Sequence, residues 1–138
     1  MAAKSQGSGE RDDPWILQTP PLTSEFKAWR DEAFDQPVLA ILSGSTKLYY
    51  RLSAIDDLHA MLKARGGWVD LGNADEGKPV KDGSVEAWAR AADNPAGGYY
   101  GLRRGYRGRF ANYVTPVLER LGLVELEHAP RNNRVRAI

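Results

Sequence analysis

The spacing of apolar positions along the chain changes period several times, and each change predicts a change of structure. Residues 25–31 alternate, with Phe26, Ala28 and Arg30 on one side and Lys27 and Trp29 on the other, which is the period-two pattern of a strand. Residues 38–42 and 47–52 are two β-prone runs joined by Ser43, Gly44, Ser45 and Thr46, and so predict a hairpin. The period then lengthens to that of a helix. Ile55, Leu58 and Leu62, with Met61, form a buried stripe, and Ser53 with Asp56 three residues later has the spacing of a capping box. Asp56 and Asp57 suit the positive end of the helix dipole, Lys63 and Arg65 suit the other end, and Gly66 or Gly67 stops it. Residues 68–71 predict a short strand and 72–83 a loop. Ser84 can cap a helix over 85–92, which Asn94-Pro95 ends.

The strongest periodic stretch is the last. Phe110, Tyr113, Val114, Val117, Leu118 and Leu121 recur at helical spacing, within a basic amphipathic helix expected over 107–121. Pro116 lies inside it, either as a kink or, with Thr115 as N-cap, as the start of a fresh helix; the stripe keeps its phase across the proline, which favours one kinked helix. Val124 and Leu126 then alternate with Glu125 and Glu127, and Val135 and Ala137 with Arg134 and Arg136, around the turn residues 130–133. That is a hairpin with one face on the core.

These elements predict a single α+β domain over residues 14–138. An N-terminal β-hairpin or small antiparallel sheet (14–52) is followed by a winged-helix-like C-terminal half (53–138). The polar residues 1–13 read as a flexible tail. Apolar residues make up 42% of the 138 and charged residues 27%, enough to fill a core. No apolar run approaches the ~20 residues of a membrane span, and residues 1–13 lack the apolar middle of a signal peptide, so the expected location is cytoplasmic. Without cysteine there are no disulfides, thiolate metal sites or cysteine nucleophiles.

The net charge of +1 conceals an asymmetry. Residues 98–138 carry eight arginines against Glu119, Glu125 and Glu127, whereas the earlier part of the chain has a surplus of acids. An arginine surplus at one end can form a patch that meets phosphate, or a solvated face balanced by acids elsewhere in the fold.

Half of those arginines sit in the unusual run from Gly97 to Phe110. There Tyr99, Tyr100 and Tyr106 interleave with Arg103, Arg104, Arg107 and Arg109 among five glycines. Aromatic faces stack on bases while guanidinium groups hold phosphates, so the composition suits nucleic acid, single strands included. The same residues also suit a glycine-bent loop whose tyrosines plug the core, or one that forms a pocket wall. Across the last hairpin, Glu125 and Glu127 are placed to pair with Arg134 and Arg136, which leaves Arg131 at the turn the freest cation.

Residues 113–138, in the run VTPVLERLGLVELEHAPRNNRVRAI, resemble the recognition helix and wing of MarR-type regulators. The resemblance implies a helix carrying Arg107, Arg109, Asn112 and Thr115 in a major groove, and a wing carrying Arg131, Asn133, Arg134 and Arg136 on phosphate or minor groove. The 14-residue link 93–106 departs from the short turn such units normally have. Over most of its length, through WILQTPP, STKLYYRL, GGYYGLRRGYRGRF and RNNRVRA, the chain resembles an uncharacterised family of small, mostly actinobacterial proteins, a likeness that implies no activity.

Catalytic chemistry is sparsely represented. Residues 72–79 nearly match the phosphate-binding loop GxxxxGK[ST], but Pro79 replaces the hydroxyl and Asp75 and Glu76 would repel phosphate. His59 and His128 lack metal-ligand spacing. The expected function is therefore non-catalytic binding without a cofactor, with DNA the first candidate partner and a protein or small ligand the alternative.

Overall fold

The computed structural model describes residues 7–138, which form an α+β fold of two antiparallel sheets and three helices. Strands β1 (Trp15–Gln18), β2 (Glu25–Ala33), β3 (Gln36–Ser43) and β4 (Thr46–Arg51) pair in sequence order as a four-stranded meander. The alternation seen in β2 recurs in β1 and β4, whereas in β3 four successive residues, Val38 to Ile41, are all buried. Trp15, Leu17, Phe26, Ala28, Leu39, Ile41, Leu48 and Tyr50 are buried on the inner face, and the register Trp29↔Ala40↔Tyr49 puts the intervening residues on the outer one. The β2–β3 turn has only two residues, Phe34 and Asp35, both left-handed at φ 54° and 62°.

Helix α1 (Ala54–Arg65) buries the predicted Ile55, Leu58 and Leu62, and Gly66 ends it in the left-handed conformation. The expected capping box does not form. Ser53 has helical backbone angles and its side chain caps nothing, while Asp57 accepts a hydrogen bond from the Tyr100 hydroxyl at 2.8 Å. Strand β5 (Val69–Asp70) pairs with β7 (Arg134–Ala137), which also pairs with β6 (Val124–Leu126), so the expected two-stranded hairpin is part of a three-stranded sheet. Helix α2 (Val85–Trp88) is capped as predicted by Ser84, whose oxygen accepts from the Ala87 N–H. It is a single turn where two were expected. The Asn94 amide donates to the Trp88 carbonyl at 2.7 Å and turns the chain, a local side-chain bond that competes with helix.

Helix α3 (Phe110–Arg120) runs unbroken through Pro116, as the phase of its stripe required. It starts later than expected because Arg109 is left-handed, at φ 58°, and so Arg107 and Arg109 precede it. The larger difference is its surroundings. α3 packs against β1, β6, α1 and α2, and every residue from Phe110 to Leu118 is buried. The amphipathic helix expected from the sequence has no broad solvent face along these two turns.

Residues 1–6 of the expected tail lie outside the described residues. Residues 7–13 form a turn in which the Asp13 carbonyl accepts from the Ser8 and Gly9 N–H groups, and the Gly9 carbonyl accepts from Arg30 of β2. A Cβ on Gly9 would stand 2.3 Å from the Trp15 ring, so only glycine permits this docking.

Candidate nucleic-acid interface

The Gly/Tyr/Arg run is built into the fold at both ends. Tyr100 and Gly101 lie along the free edge of β4, where Arg51 N–H donates to the Tyr100 carbonyl and Leu102 N–H to the Tyr49 carbonyl. These bonds occupy backbone groups that an edge strand otherwise leaves open. Tyr100 itself is a core residue, stacked on Trp88 at 5.3 Å, and burial together with the Asp57 hydrogen bond raises its phenol pKa. Further along, the Glu76 carboxylate accepts from the N–H groups of Gly105 and Arg107 at 2.9 Å each, and the Tyr50 hydroxyl donates to the Gly108 carbonyl at 2.8 Å. Gly101 and Gly108 meet neighbouring backbone so closely that a Cβ would lie 2.3 and 2.5 Å from it.

The acids that ruled out a phosphate loop at residues 72–79 thus organise the basic run. Besides Glu76, Asp75 pairs with Arg109, whose hydrogen bond holds the Asp75 carboxyl below its usual range. Arg90 secures that loop from below, donating to the carbonyls of Ala74, Asp75 and Lys78.

Beneath the start of α3 lies a carboxylate that sequence reasoning missed. Glu86 is fully buried and accepts from the N–H groups of Phe110 and Ala111 at 3.0 and 2.9 Å, so it caps α3 from another helix. Burial raises its pKa to about 7, although the two N–H groups and Arg90, 3.6 Å away, act in the opposite direction.

On the outer face of the four-stranded sheet the run meets a group of rings. Tyr106 lies 5.4 Å from Tyr49 and 6.2 Å from Phe34, Tyr49 and Phe34 are 5.7 Å apart edge to face, and the Arg103 guanidinium sits 4.0 Å above the Phe34 ring. Trp29 occupies the same face two strands away, with Ala40 between it and Tyr49. By register Lys27, Lys47 and Arg51 share this face, with Arg103 over Phe34, whereas Arg104 lines a hollow beside Leu48, Asp75 and Glu76. None of the five forms an ion pair among the described residues.

The other predicted site residues are dispersed and mostly engaged. Arg107 lies over the Tyr99 ring at 4.7 Å. Arg134 and Arg136 pair with Glu127 and Glu125, as the cross-strand spacing predicted, and both also lie over Trp68. Asn133 is buried and spans the hairpin turn, bonding both the N–H and the carbonyl of Ala129. Thr115 is wholly buried and donates to the Ala111 carbonyl at 2.6 Å, so it cannot touch a base from inside α3. Asn112 is 8% exposed and Arg131 is exposed at the hairpin turn.

Phe34, Tyr49, Trp29 and the lysines beside them were not singled out from sequence, although the alternation of β2 had already put Trp29 and Lys27 on one face. Among the described residues no group of histidines and acids could hold a metal ion, and no helix is long and apolar enough to cross a membrane. No curated protein and no solved structure matches the chain. The model of a family of unknown function, DUF6855, matches residues 7–138, and the chain belongs to that family.

Proposed function

We propose that this protein binds nucleic acid without catalysis, and that it takes single strands on the outer face of the four-stranded sheet. The observation that carries the reading is the coincidence, on one accessible face, of the rings of Phe34, Tyr49 and Tyr106 with the unpaired cations Lys27, Lys47, Arg51 and Arg103. Bases of any sequence stack on such rings while cations hold the backbone. Backbone strain points to the same place. Phe34 is 38% exposed in a left-handed conformation that disfavours bulky side chains by about 1–2 kcal/mol, in a two-residue turn where asparagine or glycine fits better. Strain of that kind is retained where a side chain has a use.

The winged-helix likeness of the C-terminal half enters this reading only as the order α3, β6, β7. A groove-reading helix needs a solvent face, and its candidate base contact Thr115 is buried, so duplex docking through α3 is the weaker form of the nucleic-acid hypothesis.

Fluorescence anisotropy with a short labelled single strand and the matching duplex tests the proposal. The single strand binds more tightly, and log affinity falls with log salt by about 0.7 per phosphate neutralised. Tyr49→Ala weakens binding roughly 5- to 150-fold, the range for one stacked base. Phe34→Asn weakens it while leaving Tm unchanged or raised, because the turn relaxes. Arg134→Ala and Arg136→Ala leave it nearly unaltered. The absence of single-strand binding at low salt, or full binding by the Tyr49 variant, refutes the proposal.

A further inference from the structure

Across the start of α3, away from the sheet face, runs a groove that the proposal above leaves unused. Asn112 lies in its floor. The residue as a whole is only 8% exposed, its carboxamide hydrogen-bonds nothing among the described residues, and the surface it keeps opens into two adjoining hollows of about 480 and 300 Å³. Hollows of this size suit small molecules. A carboxamide that the fold leaves unpaired at the wall of such a space is available to hydrogen-bond a ligand there.

The lining narrows the class of ligand. Pro21 and Asn73 border both hollows beside Asn112, prolines 20, 79 and 130 give the larger one flat apolar walls, and Arg131 stands at its rim without an ion-pair partner among the described residues. A carboxamide presents one acceptor and one donor side by side. The amino group and adjacent ring nitrogen of adenine are the matching pair, and the guanidinium suits a phosphate. We infer that this groove binds an adenine nucleotide, with the base edge on Asn112 between the prolines and the phosphate at Arg131. The site uses none of the residues of the sheet face, so either proposal can fail alone.

The same edge occurs on a free nucleotide and on an adenine within a strand, and calorimetry on the full chain separates the two sources. The probes are AMP, adenosine, the purine ribotide that lacks the 6-amino group, and a short oligo(dA). AMP binds, the purine ribotide binds about tenfold more weakly and adenosine also more weakly. Asn112→Leu removes about tenfold in affinity for AMP while Tm holds or rises, since the carboxamide bonds nothing in the fold. Arg131→Ala, at an exposed turn, reduces AMP to the level of adenosine. Binding of oligo(dA) alone, lost in Asn112→Leu and kept in Tyr49→Ala, identifies the strand as the source and still supports the groove. Equal binding of AMP and the purine ribotide, no Asn112-dependent binding of any probe, or a large fall of Tm in Asn112→Leu overturns the inference.

Discussion

Glu86 offers the sharpest test of how this fold is held together. Its two carboxylate oxygens are the acceptors for the first two N–H groups of α3, because the residue in the N-cap position, Arg109, is left-handed and supplies no side-chain cap. Glu86→Ala leaves two buried donors unsatisfied, at about 1–3 kcal/mol each, and opens a cavity. Part of this is returned because an expensive buried charge disappears. A net loss of about 3–5 kcal/mol is expected, a large share of the roughly 5–15 kcal/mol that holds a domain together. The pH dependence isolates the carboxylate itself. With a pKa of about 7 folded and an ordinary value of 4.5 unfolded, the folded protein keeps a proton that the unfolded chain has released. Stability therefore falls as pH rises from 4.5 to 7, by about 3 kcal/mol from this group at 1.36 kcal/mol per unit. Glu86→Gln does not titrate, and its amide opposes one of the two N–H groups, so it starts below wild type near pH 5 and the gap narrows towards pH 7. Urea unfolding followed by tryptophan fluorescence at stepped pH measures both curves. Parallel curves for wild type and Glu86→Gln over that interval, or a loss below about 1 kcal/mol in Glu86→Ala, would refute the reasoning.

His128 titrates in the opposite sense. Partial burial opposes its charge, but the hydrogen bond to Glu119 at 2.6 Å, the Pro20 carbonyl at 2.8 Å and the Glu119 charge outweigh it, so its pKa is raised. Its contribution is fully present below about pH 6.5 and is lost as pH rises through the folded value. An NMR titration should show the raised midpoint, and His128→Gln should flatten that part of the stability profile. Gly101→Ala forces a Cβ to 2.3 Å from the Tyr106 carbonyl oxygen. Since the clash is with backbone, a loss of at least about 2 kcal/mol is expected, with faster amide exchange at Leu102; unchanged exchange would show that the loop does not depend on the close approach.

Local patterns along the chain were sufficient for most of the elements. Alternation placed β2, two β-prone runs around a glycine-containing link placed β3 and β4, the glycine after Arg65 ended α1, Ser84 capped α2, and the unbroken stripe carried α3 across Pro116. Each of these depends on neighbours within a few residues, which is why the sequence shows them. The Glu125 and Glu127 pairings with Arg136 and Arg134 were legible for the same reason, since register within a hairpin follows from the alternation and the turn.

What only the tertiary structure decided lies in contacts between distant segments. Whether α3 had a wet side could not be read from its own residues: Asn112 and Thr115 look polar in sequence and are buried because β1, β6, α1 and α2 surround the helix. Its cap comes from Glu86, 24 residues earlier, and the acids of residues 75–76 hold a basic run about 30 residues later. The aromatic face depends on Tyr106 crossing the β4 edge to meet Tyr49 and Phe34. Periodicity says which side of an element is apolar. Which of the remaining polar groups stay in water is set by the elements that pack around it, and that is why the arginines were visible in the sequence while their partners were not.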